Sequence, residues 1–281
     1  MHTPLIVGAT GQVGQALARA WPAQAPRGIW QHRTQARADV IARFPGAPLH
    51  WDILDTPAPP LPRGITSMIV LAAVLGTTDE AALARNTDIA LACVKAARAA
   101  GIARVLIAST QAVYGTDTPR VHEDSPCTPL SPYARAKYAV ERAVADAPGV
   151  TCLRLGNVAG ADMLLRNAAR QPCVTLDRFA DGRTPRRSYI GPVTLARVLG
   201  HLCDPALVLP RVLNVANPGV LEMDAVMAAA QVTTAYRPAP DTALPVLELD
   251  TARLNALLPL PRVAAQPLIA EARAGGWQPH S

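Results

Sequence analysis

Apolar residues in this chain gather in short runs separated by stretches of helical composition. Pro4-Leu-Ile-Val7, Gly28-Ile-Trp-Gln31, Leu49-His-Trp-Asp52-Ile-Leu54, Ser67-Met-Ile-Val-Leu-Ala-Ala-Val74 and Arg104-Val-Leu-Ile-Ala108 each read as a strand. The run from Ser67 is continuous rather than alternating, which is the pattern of a parallel strand covered on both faces. Between the runs lie Gln15-Ala-Leu-Ala-Arg-Ala20, the long Ala-rich stretch Glu80 to Ala100 closed by Gly101, and Pro132 to Ala145, all of helical composition. The Pro-rich segment Thr56 to Pro62 can be neither helix nor central strand and is read as a loop. Alternation of this kind predicts an α/β fold, a Rossmann-like doubly wound parallel sheet. It occupies residues 1–160 and is completed by a helix from Val193 and a strand Val212-Leu-Asn-Val215, within 193–216. Residues 161–192 and 217–281, including the helical stretch Met223 to Ala230 and the segment Glu248 to Leu258, are left for a small substrate cap. No internal repeat is visible.

Composition narrows the class. A chain of 281 residues, 50% hydrophobic, buries a sizeable core and is not disordered. Its longest apolar run, Met68 to Gly76, is too short for a bilayer, and Met1 leads directly into a strand without a basic leader, so a soluble cytoplasmic protein is expected, with no membrane partner. Five scattered Cys without Cys-x-x-Cys spacing, and six His that never pair at i, i+4, indicate neither disulfides nor a metal. The net charge of +6 comes from dispersed Arg with only two Phe, which suits anionic small molecules and not nucleic acid.

Candidate chemistry begins at Gly8-Ala-Thr10-Gly11-Gln12-Val13-Gly14, between a strand and a helix. Such a turn brings backbone N–H groups and a helix N-terminus to a pyrophosphate, and Gly14 permits close helix–strand packing. An acid about 20 residues past the glycines would hold a ribose 2′-hydroxyl. None is present: the first acid in the chain is Asp39, and His32, Arg33 and Arg37 stand where a 2′-phosphate needs cations, favouring NADP over NAD. Asp52, with Ile53 beside it, ends the third strand where it could accept from an adenine amino group, or it simply starts the following turn. Small Ala72 and Ala73 leave room for a cofactor, and Asn86 is a polar candidate in the long helix. In Ser131-Pro-Tyr133-Ala-Arg-Ala-Lys137-Tyr138, a phenol and an ammonium stand four residues apart on one helical face. Arg outnumbers Lys by 25 to 2 here, yet position 137 is Lys, whose compact charge can sit beside a phenol and lower its pKa. Hydroxyls of Ser109 and Thr110 emerge at the carboxyl end of the fifth strand, where open sheets bind ligands.

Taken together, Gly8-x-x-Gly-x-x-Gly14, Leu71-Ala-Ala73, Asn86, Ser109-Thr-Gln-Ala-Val-Tyr-Gly115, Glu123 before a Pro-rich loop, and Tyr133-x-x-x-Lys137 resemble the extended short-chain dehydrogenase/reductases, the NAD-dependent epimerase/dehydratase family. The resemblance implies that Thr110 hydrogen-bonds the substrate oxygen, that Tyr133 is the acid/base, and that Lys137 binds the nicotinamide ribose and lowers the phenol's pKa. It also implies a substrate side at Gln111, at Asn157 facing a phosphate, and at Arg187 contacting a nucleotide diphosphate. Family 4,6-dehydratases carry Asp and Glu after the Thr; Gln111 and Ala112 stand there instead, so dehydration is not expected. Only 30 positions separate Asn157 from Arg187, which implies a reduced cap. The leading expectation is an NADP-linked reductase or epimerase acting on a sugar nucleotide or a related carbonyl or alcohol. A simple ketone or aldehyde reductase, and a non-catalytic NADP-binding redox sensor, stay open beside it. A homodimer is implied by the family's habit of pairing the helices that here cover Glu80 to Ala100 and Pro132 to Ala145.

Overall fold

A computed structural model describes residues 3–23, 27–33, 38–116 and 118–280. Seven parallel strands form the main sheet: β1 (Thr3–Val7), β2 (Ile29–His32), β3 (Ala47–His50), β4 (Ile65–Val70), β5 (Arg104–Thr110), β6 (Val150–Leu155) and β7 (Val212–Val215). Their order is β7-β6-β5-β4-β1-β2-β3. Every adjacent pair is parallel. The order reverses between β1 and β4, which opens a crevice at the strands' carboxyl ends.

Side chains alternate across this sheet and split its core in two. Ile6, Ile69, Leu106, Leu153 and Leu213 point to one face, under Leu17 of α1 (Gln12–Ala20) and Leu195, Val198, Leu199 and Leu202 of α4 (Pro192–Leu202). Leu5, Val7, Met68, Val70, Val105, Ile107 and Cys152 point to the other, under α2 (Glu80–Ala99) and α3 (Pro132–Ala143). The continuous apolar run of β4 is therefore buried on both faces, as its sequence requires.

The sequence reading of the third strand needs correction. β3 ends at His50, and Asp52 starts a turn in which its carbonyl accepts from the N–H of Asp55 and Thr56 at 3.0 and 2.9 Å. Pro48 is tolerated in β3 because that strand is the sheet's edge.

Beyond residue 156 the chain builds smaller sheets. One contains Arg186–Arg187 between Leu221–Glu222 and Val246–Leu249, with Arg120–Val121 at its far edge. Another pairs Cys173–Arg178 with Thr233–Pro238 in parallel. A third core, of Leu164, Leu165, Leu176, Tyr189, Met227, Ile269 and Trp277, joins α5 (Met223–Ala230) to α6 (Ala265–Ala274). The sequence reading assigned no element to residues 265–274. There, α6 also touches α1 and α4 of the main layer. Its Glu271 caps α4, accepting from Thr194 N at 2.7 Å and from the Thr194 hydroxyl at 2.6 Å. Among the described residues, no helix is long and apolar enough to cross a membrane.

Candidate active site

The glycine turn lies at the sheet's switch point. Gly8 adopts φ +88°, and a Cβ on it would lie 2.4 Å from Ala72 N; on Gly14, a Cβ would lie 2.5 Å from Gly8 O. The turn is thus pressed between the loop after β4 and the start of α1. Gly11 caps α1 with no side-chain hydrogen bond, and no acid occupies the first turn. The N–H groups of that turn have no partner within the helix, and the helix N-terminus favours an anion. These residues fit a dinucleotide's pyrophosphate: the cradle is one that any larger side chain would fill.

Gln31, to which the sequence reading gave no role, holds this turn. Its Oε1 accepts from Gly8 N at 2.7 Å, and its Nε2 donates to Trp51 O at 2.6 Å. A polar residue within a buried strand was the signal for it. Asn86 braces the next loop in the same way. Its amide accepts from Val74 N at 2.7 Å and donates to Val74 O at 3.2 Å, which shapes the loop carrying Ala72 and Ala73. Arg33 follows β2 and is exposed, while Arg37 lies outside the described residues. The Asp52 carboxylate is 3.3 Å from His50 Nε2, and the half-buried Ile53 packs on the sheet core.

Thr110 and Tyr133 come together at the carboxyl end of β5, with Lys137 one turn further along α3. Ser131 caps α3 by accepting from Ala134 N at 3.1 Å, and Pro132 opens the helix, which brings Tyr133 in its first turn against Thr110. Thr110 Oγ1 accepts from Ala112 N at 3.2 Å and makes a side-chain hydrogen bond with the phenol. Burial pushes the phenol up to about 12, opposed by that hydrogen bond. Lys137 sits one turn further along α3, 5% exposed, where the Cys152 thiol and Glu141 act on it. Burial lowers its own ammonium to about 8, against the pull of those two groups.

On the other side of Thr110, Gln111 Nε2 donates to Asn157 Oδ1 at 2.9 Å, and Gln111 Oε1 is buried without a partner among the described residues. Arg187, expected at a diphosphate, spends two donors on the carbonyls of Arg186 and Leu244, both at 2.8 Å, and burial lowers its pKa. Its fork retains other N–H groups. Behind the site, a buried ion pair joins Glu141 to Arg154 at 2.7 Å. Arg154 lies 4.6 Å from the Tyr114 ring centre, and Tyr114 donates to Asn214 at 2.7 Å. The sequence reading assigned roles to none of these four.

A family model described as the NAD dependent epimerase/dehydratase family matches residues 4–204. The chain belongs to this family. A UDP-glucose 4-epimerase of Azospirillum brasilense is 36% identical over 96 residues, a stretch that is 32% of this chain and 28% of that relative's length. Among solved structures, a UDP-glucose-4-epimerase from Stenotrophomonas maltophila with bound NAD and formylated UDP-arabinopyranose superposes with TM-score 0.79 at 20% identity, over 99% of this chain and 98% of that one. An NAD-dependent NDP-hexosamine 5,6-dehydratase of tunicamycin biosynthesis gives TM-score 0.76 at 22% identity, over 99% and 97%. At such identities the likeness establishes the family fold, with its mostly parallel seven-stranded sheet, and not a substrate.

Proposed function

We propose that this family member is an oxidoreductase that uses a nicotinamide dinucleotide to exchange hydride at a hydroxyl or carbonyl carbon of a sugar nucleotide, with Tyr133 as acid/base. What supports this reading is the hydrogen bond between Thr110 and Tyr133 at the carboxyl end of β5, one helical turn from the buried Lys137, in a sheet whose switch point carries the Gly8–Gly14 turn. When bound, the dinucleotide supplies reversible hydride transfer. Gly8, Thr10, Gly11, Gln12, Val13 and Gly14 would hold its pyrophosphate, Asp52 and Ile53 its adenine end, and Ala72 and Ala73 its inner face. Lys137 would hold the nicotinamide ribose. Arg33 offers a charge-assisted contact to a 2′-phosphate, which favours NADP, although the neighbouring structures are named with NAD.

The chain's own residues handle the proton. Thr110 orients the substrate oxygen, and Tyr133 exchanges a proton at its phenol oxygen. A phenol at about 12 keeps that proton at neutral pH, so it is set to donate toward a developing alkoxide. The names of the relatives make UDP-hexoses the first substrates to try. A simple ketone or aldehyde reduction is the second reading, favoured by the commitment of Arg187 to two backbone carbonyls.

Incubation with UDP-glucose or UDP-galactose and either cofactor, with products resolved by NMR, separates these readings from a ketone panel followed by loss of reduced nicotinamide. Tyr133→Phe keeps the ring and should lower turnover at least about 100-fold while leaving cofactor affinity nearly intact. Near-normal turnover in that variant would refute the acid/base role.

A further inference from the structure

Lys137 and Glu141 stand one helical turn apart on the inner face of α3, and both are buried, at 5% and 6% exposure. An ammonium in that position needs a counter-charge, because burial alone disfavours its charged form. Two groups act on it in that sense, Cys152 and Glu141. The Cys152 thiol is itself pushed up to about 12 by burial, so near neutral pH it carries no charge. Glu141 is then the anion that acts on Lys137.

That carboxylate is unusually well held. Oε2 accepts from Arg154 Nη2 at 2.7 Å, Arg154 Nε is shared between the two oxygens at 3.1 and 3.2 Å, and Oε1 also accepts from the Ser109 hydroxyl. Arg154 is fixed in turn by donating to Glu123 O at 3.2 Å. We infer that Glu141, clamped by Arg154 and Ser109, is a positioning residue that keeps the buried Lys137 ammonium charged and in register with Tyr133. The titratable groups that act on Lys137 are Glu141 on its own helix and Cys152 on β6, and Tyr133 stands one turn before it on α3.

A purely structural ion pair tying α3 to β6 would be indifferent to the charge on Lys137, and this separates the two roles. Removing the Glu141 charge takes away the anion that favours the Lys137 ammonium, so Lys137 should lose its proton at lower pH. The chain has two lysines, and Lys95 is exposed, so protein carrying lysine labelled with carbon-13 at Cε gives two titrating signals, assigned with Lys95→Arg.

The Lys137 midpoint is expected near 8 in the unaltered chain. Glu141→Gln should lower it by about one pH unit or more, and Glu141→Asp, which keeps the charge but draws it back, should lower it less. A lowered midpoint in Glu141→Gln supports the inference; where that variant does not fold, a lowered midpoint in Glu141→Asp decides for it. An unmoved or raised midpoint in a folded variant overturns it. The inference rests on the proposed role of Lys137 only for its effect on turnover. The titration needs no substrate, so the shifts can be present in a chain that turns over no sugar nucleotide, in which case the proposed activity alone would fail.

Discussion

Gly14→Ala tests the cradle with a single methyl group. The added Cβ would lie 2.5 Å from Gly8 O and 2.7 Å from both Ala9 Cα and Ala9 O, where ordinary contact begins at 3.4 Å. All three atoms are backbone, so no side chain can swing aside, and α1 must draw back from the turn. Overpacking of this kind costs about 1–3 kcal/mol. Ala regains about 1 kcal/mol by its helix preference over Gly, so a net loss of up to about 2 kcal/mol remains. The same retreat carries the free N–H groups of the first turn away from a bound anion. Cofactor affinity should therefore fall at least about tenfold, roughly 1.4 kcal/mol. Urea unfolding and calorimetric titration with reduced cofactor read the two effects. Gly200→Ala is the control: it lies in α4 with open space around its Cβ, so the helix preference acts alone and the variant should be stabilised. If Gly14→Ala matched the parent in both measurements, or behaved like Gly200→Ala, the reading of a close-packed pyrophosphate cradle would be wrong.

Arg33→Ala should weaken NADPH binding more than NADH binding, by about the 1.5–3 kcal/mol of a charged hydrogen bond, and an unchanged ratio of the two affinities would remove the NADP preference. Glu271→Ala leaves the N-terminus of α4 without its cap and should lower stability by about 1–2 kcal/mol in urea; an unmoved midpoint would show that the C-terminal helix is not anchored there. We expect a homodimer through α2 and α3, which pack on each other and leave Leu91 of α2 exposed. Sedimentation at micromolar concentration should show it, and Leu91→Arg should dissociate it; a monomer in the parent chain counts against the proposal.

What could be read from the sequence was local. The run of β4, the glycine turn and the Tyr133-x-x-x-Lys137 spacing each lie within a few residues, and local periodicity decides them. Partnerships across long separations left no such mark. Glu271 meets Thr194 from 77 residues away, and Arg187 meets the carbonyl of Leu244 from 57. The strand Thr233–Pro238 is largely exposed, with Arg237 paired to Asp177 across to Cys173–Arg178, so no apolar alternation announced it. Spacing put Tyr133 and Lys137 one turn apart on one helix but could not give the phenol's proton affinity, because that depends on burial in the assembled fold. The same limit applied to Asn86: its amide was legible as polar, and its use on Val74 only became so once the loop was placed.

The polar floor beside Thr110 bears on which reaction the proposed site can carry. Gln111 stands where an acid would be needed for elimination, and its amide cannot exchange a proton near neutral pH. Its Nε2 is already spent on Asn157, which leaves Oε1 as a buried acceptor without a partner among the described residues. An acceptor in that state costs about 1–3 kcal/mol, and a substrate hydroxyl donating to it would recover that cost. The site as proposed therefore favours a ligand with a donor next to the reacting carbon, while Tyr133 is the group that moves the proton there. A site with one proton carrier and a neutral amide suits hydride exchange at a single carbon, as in reduction or epimerisation. Loss of water from the neighbouring carbon would need a second acid/base, and Gln111 and Ala112 supply none.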